Sequence, residues 1–174
     1  LKDVSAHYRE FWIGKRRGGY RMISAPDDEL KPIQGAINHR ILSFVNVHPA
    51  ATGFRCKMSI ADNVRPHLGK KCVLKTDIHD FFSSIRSPRV RNTFEAMGYP
   101  PDIAKVLGTL CCLHRCLPQG ASTSPALSNI ISYEMDKKLS ALAAKYGLTY
   151  TRYADDLTFS GNVFPGEQIL SQVK

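Results

Sequence analysis

The 174-residue sequence predicts an α+β fold, a small antiparallel sheet backed by helices. Three observations predict it. Two short alternating runs, 148–152 and 157–160, flank Tyr153-Ala154-Asp155-Asp156 as the arms of a β-hairpin flank its tip. A separate apolar run, Lys71 to Ile78, has strand length and carries Asp77 near its end. Between these runs lie stretches with the 3.6-residue apolar period of amphipathic helices.

The elements follow in order. Lys15-Arg16-Arg17-Gly18-Gly19-Tyr20-Arg21 reads as a hairpin with Gly18-Gly19 as its turn. Asp28 to Val45 reads as one amphipathic helix, with Leu30, Ile33, Ile37, Ile41 and Phe44 on its apolar face. Pro32 is tolerated in the first turn, where its missing N–H would be unpaired anyway. Ser59 to His67 reads as a short helix, with His67 as a cation at its C-terminal end. Ser87-Pro88 starts a helix that Gly98 stops, and Pro100-Pro101 starts another to about Cys112. Ser124, as N-cap, with Pro125 at the first helical position, opens the longest helix. It runs to Tyr146, faces Leu127, Ile131, Met135, Leu139 and Leu142 inward, and ends at Gly147. Pro165 to Lys174 reads as the start of a further helix, cut short.

Composition bounds the function. With 43% hydrophobic residues the chain can form a core for one domain or two small subdomains. The net charge of +9 points to a polyanionic partner, although many basic proteins are simply solvated. Five cysteines is an odd number, and no secretory signal or apolar membrane-length run is visible. That argues against a disulfide scaffold and for a reducing cytoplasm. Cys111-Cys112-Leu113-His114-Arg115-Cys116 holds four zinc-type ligands, but their spacing fits no common zinc motif, and buried thiols near a helix end fit better. There are no repeats, and the first residue is Leu1 rather than Met, as in a trimmed or excerpted chain.

Three acids carry the chemistry. Asp155 and Asp156 are adjacent and repel each other unless a cation neutralises them. Magnesium is held by one or two carboxylates together with substrate phosphates. A third carboxylate, Asp77, facing that pair from a neighbouring strand would make a cradle for two ions, as in phosphoryl transfer. Singly, an Asp at a strand end or in a turn is an ordinary capping residue. The conjunction with Leu117-Pro118-Gln119-Gly120 sets these apart. There Gly120 permits close backbone approach, and Gln119 offers both a donor and an acceptor.

The ordered set Asp77 to Ile85, Leu117 to Gly120 and Tyr153 to Asp156 resembles reverse transcriptases. The resemblance extends to Tyr20 to Pro26, Leu30 to Gln34 and His48 to Phe54, and covers about residues 14–161. Within that family the chain looks most like the bacterial group of retron and group II intron enzymes. Asn63-Val64-Arg65-Pro66-His67 resembles the Asn-Ala-x-x-His element of retron enzymes, with Val64 in place of Ala.

The resemblance implies a right-hand polymerase with fingers and palm but no thumb. Residues 1–70 would be fingers and 71–174 palm, with a fingers insertion at about 86–116. It implies an RNA template, a DNA or RNA primer, deoxynucleoside triphosphates and two Mg²⁺ ions, Mn²⁺ being a substitute. A cognate structured RNA is a further partner and a bacterial cytoplasm the setting. Asp77, Asp155 and Asp156 would be catalytic and hold the metals together with the Ile78 carbonyl. Arg21 would grip the triphosphate with help from Lys15 and Arg16; a solvated hairpin tip is the alternative. Phe82 would exclude a 2′-hydroxyl while Phe81 packs in the core. Gln119 would contact the nucleotide. Tyr153, Pro118 and Gly120 would border primer and template. His79 reads as an exposed strand-end residue. Two rival readings stand beside this one: a non-catalytic nucleic-acid-binding module built on a polymerase palm, and a palm polymerase with another template or product. Retron defence, intron mobility, diversity generation and CRISPR-linked synthesis share such a core.

Overall fold

The computed structural model describes residues 3–15, 18–163 and 169. Arg16 lies outside these residues, and of the helix expected from Pro165 to Lys174 only Ile169 lies within them. The chain forms two compact units, Leu1–Val45 with Asp80–Ile131, and Asn46–His79 with Ser132–Lys174.

The first unit opens with an antiparallel ribbon of β1 (Tyr8–Gly14) and β2 (Tyr20–Pro26), with Gly14 opposite Tyr20. Gly18 and Gly19 both take positive φ, 89° and 79°, which a glycine pair adopts without steric cost. Helix α1 (Leu30–Arg40) follows, its first amides bonded at 3.0 and 2.9 Å to the side chain of Asp27.

Helix α1 is shorter than its sequence suggests. Ile41 leaves helical geometry (φ −123°, ψ −64°), and Leu42–Phe44 forms a 3₁₀ turn. That twist buries Leu42 and leaves Phe44 79% exposed; Ile33 is also exposed. The buried stripe is therefore Leu30, Gln34 and Ile37. Gln34 is tolerated there because its amide is used at both ends. It donates to Tyr8 Oη (2.7 Å) and the Leu110 carbonyl (2.8 Å), and accepts from the Ser122 amide (3.2 Å).

The rest of this unit is helical: α3 (Phe81–Ser84), α4 (Ser87–Ala96), α5 (Pro101–Cys111) and α6 (Ser124–Ile131). Gly98 follows α4 with φ 96° and stops it, as expected. Cys111 and Cys112 are buried free thiols, each pushed up to about 12, chiefly by burial. Leu113 and Cys116 exchange two backbone hydrogen bonds across the tight turn His114-Arg115.

In the second unit α2 (Ile60–Val64) precedes a 3₁₀ turn, Arg65–His67. The Asp62 carboxylate accepts from both the amide and the hydroxyl of Ser59, closing the helix start. The sheet has the order β3 (Cys72–Asp77), β5 (Asp156–Gly161), β4 (Thr149–Tyr153), antiparallel throughout. One face packs against α7 (Tyr133–Lys145) through Tyr150, Leu157, Phe159 and Ala143, with Leu139 and Leu142 at the margin. The Tyr150 and Phe159 rings lie 4.8 Å apart.

The expected single helix from Ser124 to Tyr146 is in fact two. Ser132 (φ −81°, ψ 0°) breaks it. The break re-phases the inward stripe, so that α7 buries Asp136 and Ala143. Its start also differs by one residue: Ser124 is the first residue of α6 rather than its cap, and its hydroxyl donates to the Pro118 carbonyl at 2.7 Å.

Candidate active site

Pairing of β3 with β5 places Asp77 directly opposite Asp156. Tyr153 pairs with Asp156, so the hairpin tip is the two residues Ala154 and Asp155. The Ile78 amide donates to the Asp155 carbonyl at 2.9 Å. The backbones of all three acids are thus tied to one end of the sheet. Asp77 and Asp155 are exposed and Asp156 half-buried. Two carboxylates in cross-strand register repel each other, and the chain's own answer is Lys75, whose Nζ lies 3.0 Å from Asp156 Oδ2. Both partners are more than a third exposed, so that pair contributes only ~0–1 kcal/mol.

The tip is held from beneath. Ala154 sits in the left-handed region at φ 58°, which costs a non-glycine residue about 1 kcal/mol. Arg152 is fully buried and uses three donors: Nε and Nη2 fork onto Asp136 at 2.8 and 2.7 Å, and Nη1 reaches the Ala154 carbonyl at 2.9 Å. Tyr150 Oη adds a bond to Asp136 at 2.8 Å, and burial beside that carboxylate pushes the phenol far up. On the outer side Arg152 and the strand-like segment at Ala50–Thr52 exchange backbone bonds of 2.7 and 2.8 Å. Gly53 lies against the tip itself: a Cβ there would sit 2.7 Å from the Ala154 nitrogen.

The retron-like element Asn63 to His67 joins this support. Asn63 Oδ1 accepts from the Thr52 hydroxyl at 2.8 Å. The His67 ring spans two strands, Nδ1 2.6 Å from Ser160 Oγ and Nε2 2.7 Å from Thr151 Oγ1. Burial, with Lys70 as a secondary cause, lowers its pKa, so His67 is a neutral bridge and not the helix-end cation its sequence position suggests. His79 is exposed, as expected.

The first unit carries the remaining candidates. Arg21 lies on β2 opposite Ile13, exposed near the ribbon's tip, and Lys15 is exposed there too. Phe81 is buried and Phe82 half-buried, their rings 5.4 Å apart. The Gln119 carbonyl accepts from the Ser24 amide at 2.8 Å, which lays the loop along β2. Gly120 has φ 128°, and a Cβ there would meet the Ser24 carbonyl oxygen at 2.8 Å. Pro118 is buried, its carbonyl held by Ser124.

Sequence reasoning missed Arg152, Asp136, Gly53 and the bridging role of His67. One signal was available: a lone arginine inside an otherwise uncharged strand.

A family model for the reverse transcriptase (RNA-dependent DNA polymerase) matches residues 13–167. The chain belongs to the reverse transcriptase family. The reverse transcriptase of retron Mx65 from Myxococcus xanthus is 40% identical over 90% of this chain. That of retron Ec86 from Escherichia coli is 40% identical over 88%. The chain spans 41% and 48% of the length of these two relatives. A solved telomerase from Candida albicans, in complex with a fragment of telomeric RNA, superimposes with a TM-score of 0.55 at 13% identity, covering 95% of this chain and 39% of that one. The fold is therefore the right-hand polymerase fold.

Reverse transcriptases generally use divalent metal ions. Among the described residues no three His, Cys, Asp or Glu side chains are already gathered to hold one. The donor set nevertheless fits a hard cation. It offers exposed carboxylate oxygens and no sulfur or imidazole, and Lys75 already brings a positive charge to Asp156. No helix among the described residues is long and apolar enough to cross a membrane.

Proposed function

We propose that the chain is the fingers and palm portion of a retron-type RNA-directed DNA polymerase of the bacterial cytoplasm, extending a DNA or RNA primer with deoxynucleotides on an RNA template. Residues 1–70 would be fingers and 71–174 palm, with a fingers insertion at about 86–116. The observation that carries this reading is the register of Asp77 opposite Asp156, with Asp155 tied to Ile78 at the hairpin tip.

Asp77, Asp155, Asp156 and the Ile78 carbonyl would hold two Mg²⁺ ions. Bound there, the ions would supply charge neutralisation at the attacking and leaving oxygens. The residues of the chain do the positioning, on which this chemistry mainly depends. Arg21, with Lys15 and Arg16, would hold the triphosphate, since an arginine fork suits bidentate phosphate contact. Phe82 offers a partly exposed ring to bar a ribose 2′-hydroxyl. Gln119 would meet the nucleotide, and Tyr153, Pro118 and Gly120 would border primer and template. A cognate structured RNA would be a further partner.

Asp155→Asn tests the reading in primer extension with an RNA template and Mg²⁺. Synthesis should fall by at least about 10³-fold while thermal unfolding stays near that of wild type. Residual synthesis near wild type would refute the assignment. Metal-independent template binding without any synthesis by the unaltered chain would favour a non-catalytic binding module.

A further inference from the structure

We infer that Arg152 and Asp136 are a positioning pair that fixes the acid-bearing hairpin tip for catalysis, an inference that rests on the polymerase reading above. Both side chains have no exposed surface at all. A buried ion pair is weak evidence for stability, because well-packed apolar residues of similar volume often do as well or better. What an apolar pair cannot do is hold a carbonyl. Two nitrogens of the guanidinium are committed to Asp136, which fixes its plane, and the third is aimed at the Ala154 carbonyl. That carbonyl belongs to the peptide linking Ala154 to Asp155. Its orientation decides how Asp155 leaves the turn, at a residue whose φ of 58° is disfavoured and must be imposed by its surroundings. Tyr150 steadies Asp136 in turn. The chain runs from α7 through Asp136 and Arg152 to the tip, and Ile78, bonded to the Asp155 carbonyl, reports on its far end.

Lysine retains the charge of Arg152 but has no planar fork, so it cannot pair with Asp136 bidentately and reach Ala154 together. Arg152→Lys in the full chain is therefore the discriminating variant, read in three ways. Hydrogen exchange at the Ile78 amide should accelerate ~10-fold under conditions where the protein is folded. The kcat for incorporation should fall roughly 10–100-fold. The KM for the nucleotide and the affinity for template-primer should stay within about threefold. A folded Arg152→Lys protein with wild-type Ile78 exchange and wild-type kcat overturns the inference. So does a loss of activity that merely tracks the unfolded fraction. If Arg152→Lys does not fold, Tyr150→Phe removes only the hydroxyl bond to Asp136. It should shift exchange and kcat the same way by severalfold, and unchanged values overturn the inference. Absence of synthesis by wild type would overturn the polymerase reading and the catalytic role together, while Ile78 exchange still judges the anchor by itself.

Discussion

Gly53 shows how tightly single atoms constrain this site. Its φ is ordinary, so the need for glycine is one of space: any side chain would press on the nitrogen of Ala154 from 2.7 Å, and that neighbour is backbone with nowhere to move. Gly53→Ala should therefore displace the tip and cost about 1–3 kcal/mol of stability. It should lower primer extension more than the loss of folded protein explains. Denaturant midpoints and single-turnover incorporation on the same samples check this; wild-type behaviour in both would show the tip to be slack. At this scale the sequence was informative where a residue type answers a chemical demand. Adjacent acids require a cation, and that demand is visible without coordinates. Gly53 and Asp136 answer geometric demands that arise only when α7 and the Ala50–Gly53 segment meet β4. Arg152 shares the apolar phase of its alternating run with Leu148 and Tyr150, and the structure buries it there, as it buries both faces of β4 at its centre.

At the scale of elements, helices α4 and α5 and the three strands of the second unit's sheet were read nearly to the residue, whereas β1, most of β2, α1 and the break between α6 and α7 were not. Each of those three sheet strands is bounded by a turn signal or a charged end. Helix α1 and the α6–α7 pair lack such signals, and their apolar periodicity continues across Ile41 and Ser132, where the backbone departs from it. The 3₁₀ turn ending at His67 shows a second thing periodicity hides, namely that its histidine ties β4 to β5. This has a pH consequence. The folded pKa of His67 lies below the ordinary histidine value of 6.5, chiefly through burial. Between those two values the unfolded chain binds more protons than the folded one, so stability rises with pH across that window. The contribution is complete above 6.5 and is lost as the pH falls through the window. Thermal unfolding of wild type should show this acid-side loss, and His67→Gln, which retains hydrogen-bonding capacity without titrating, should flatten it relative to wild type. Identical pH profiles for the two proteins would remove His67 as the cause.

At the scale of the whole molecule, the order of motifs along the chain was legible because each carries its own chemistry. The pairing of the Asp77 strand with the Asp155-Asp156 hairpin was legible through its acids, but the interleaving of the two units was not, since nothing local announces that 46–70 groups with that sheet and 80–131 with the N-terminal ribbon. The charge of +9 acts at this scale too. A chain that neutralises phosphates releases condensed counterions, and affinity then falls steeply with salt. If four phosphates of an RNA–DNA template-primer are contacted, affinity should drop about 10²-fold between roughly 50 and 200 mM monovalent salt. Arg21 and Lys15 stand exposed at the ribbon tip and are assigned to the triphosphate rather than to the duplex. Their joint replacement by Ala should therefore raise the nucleotide KM while leaving the salt slope for template-primer within about one unit of wild type. A slope shallower by about two units, with KM unchanged, would move both cations from the nucleotide to the nucleic-acid backbone.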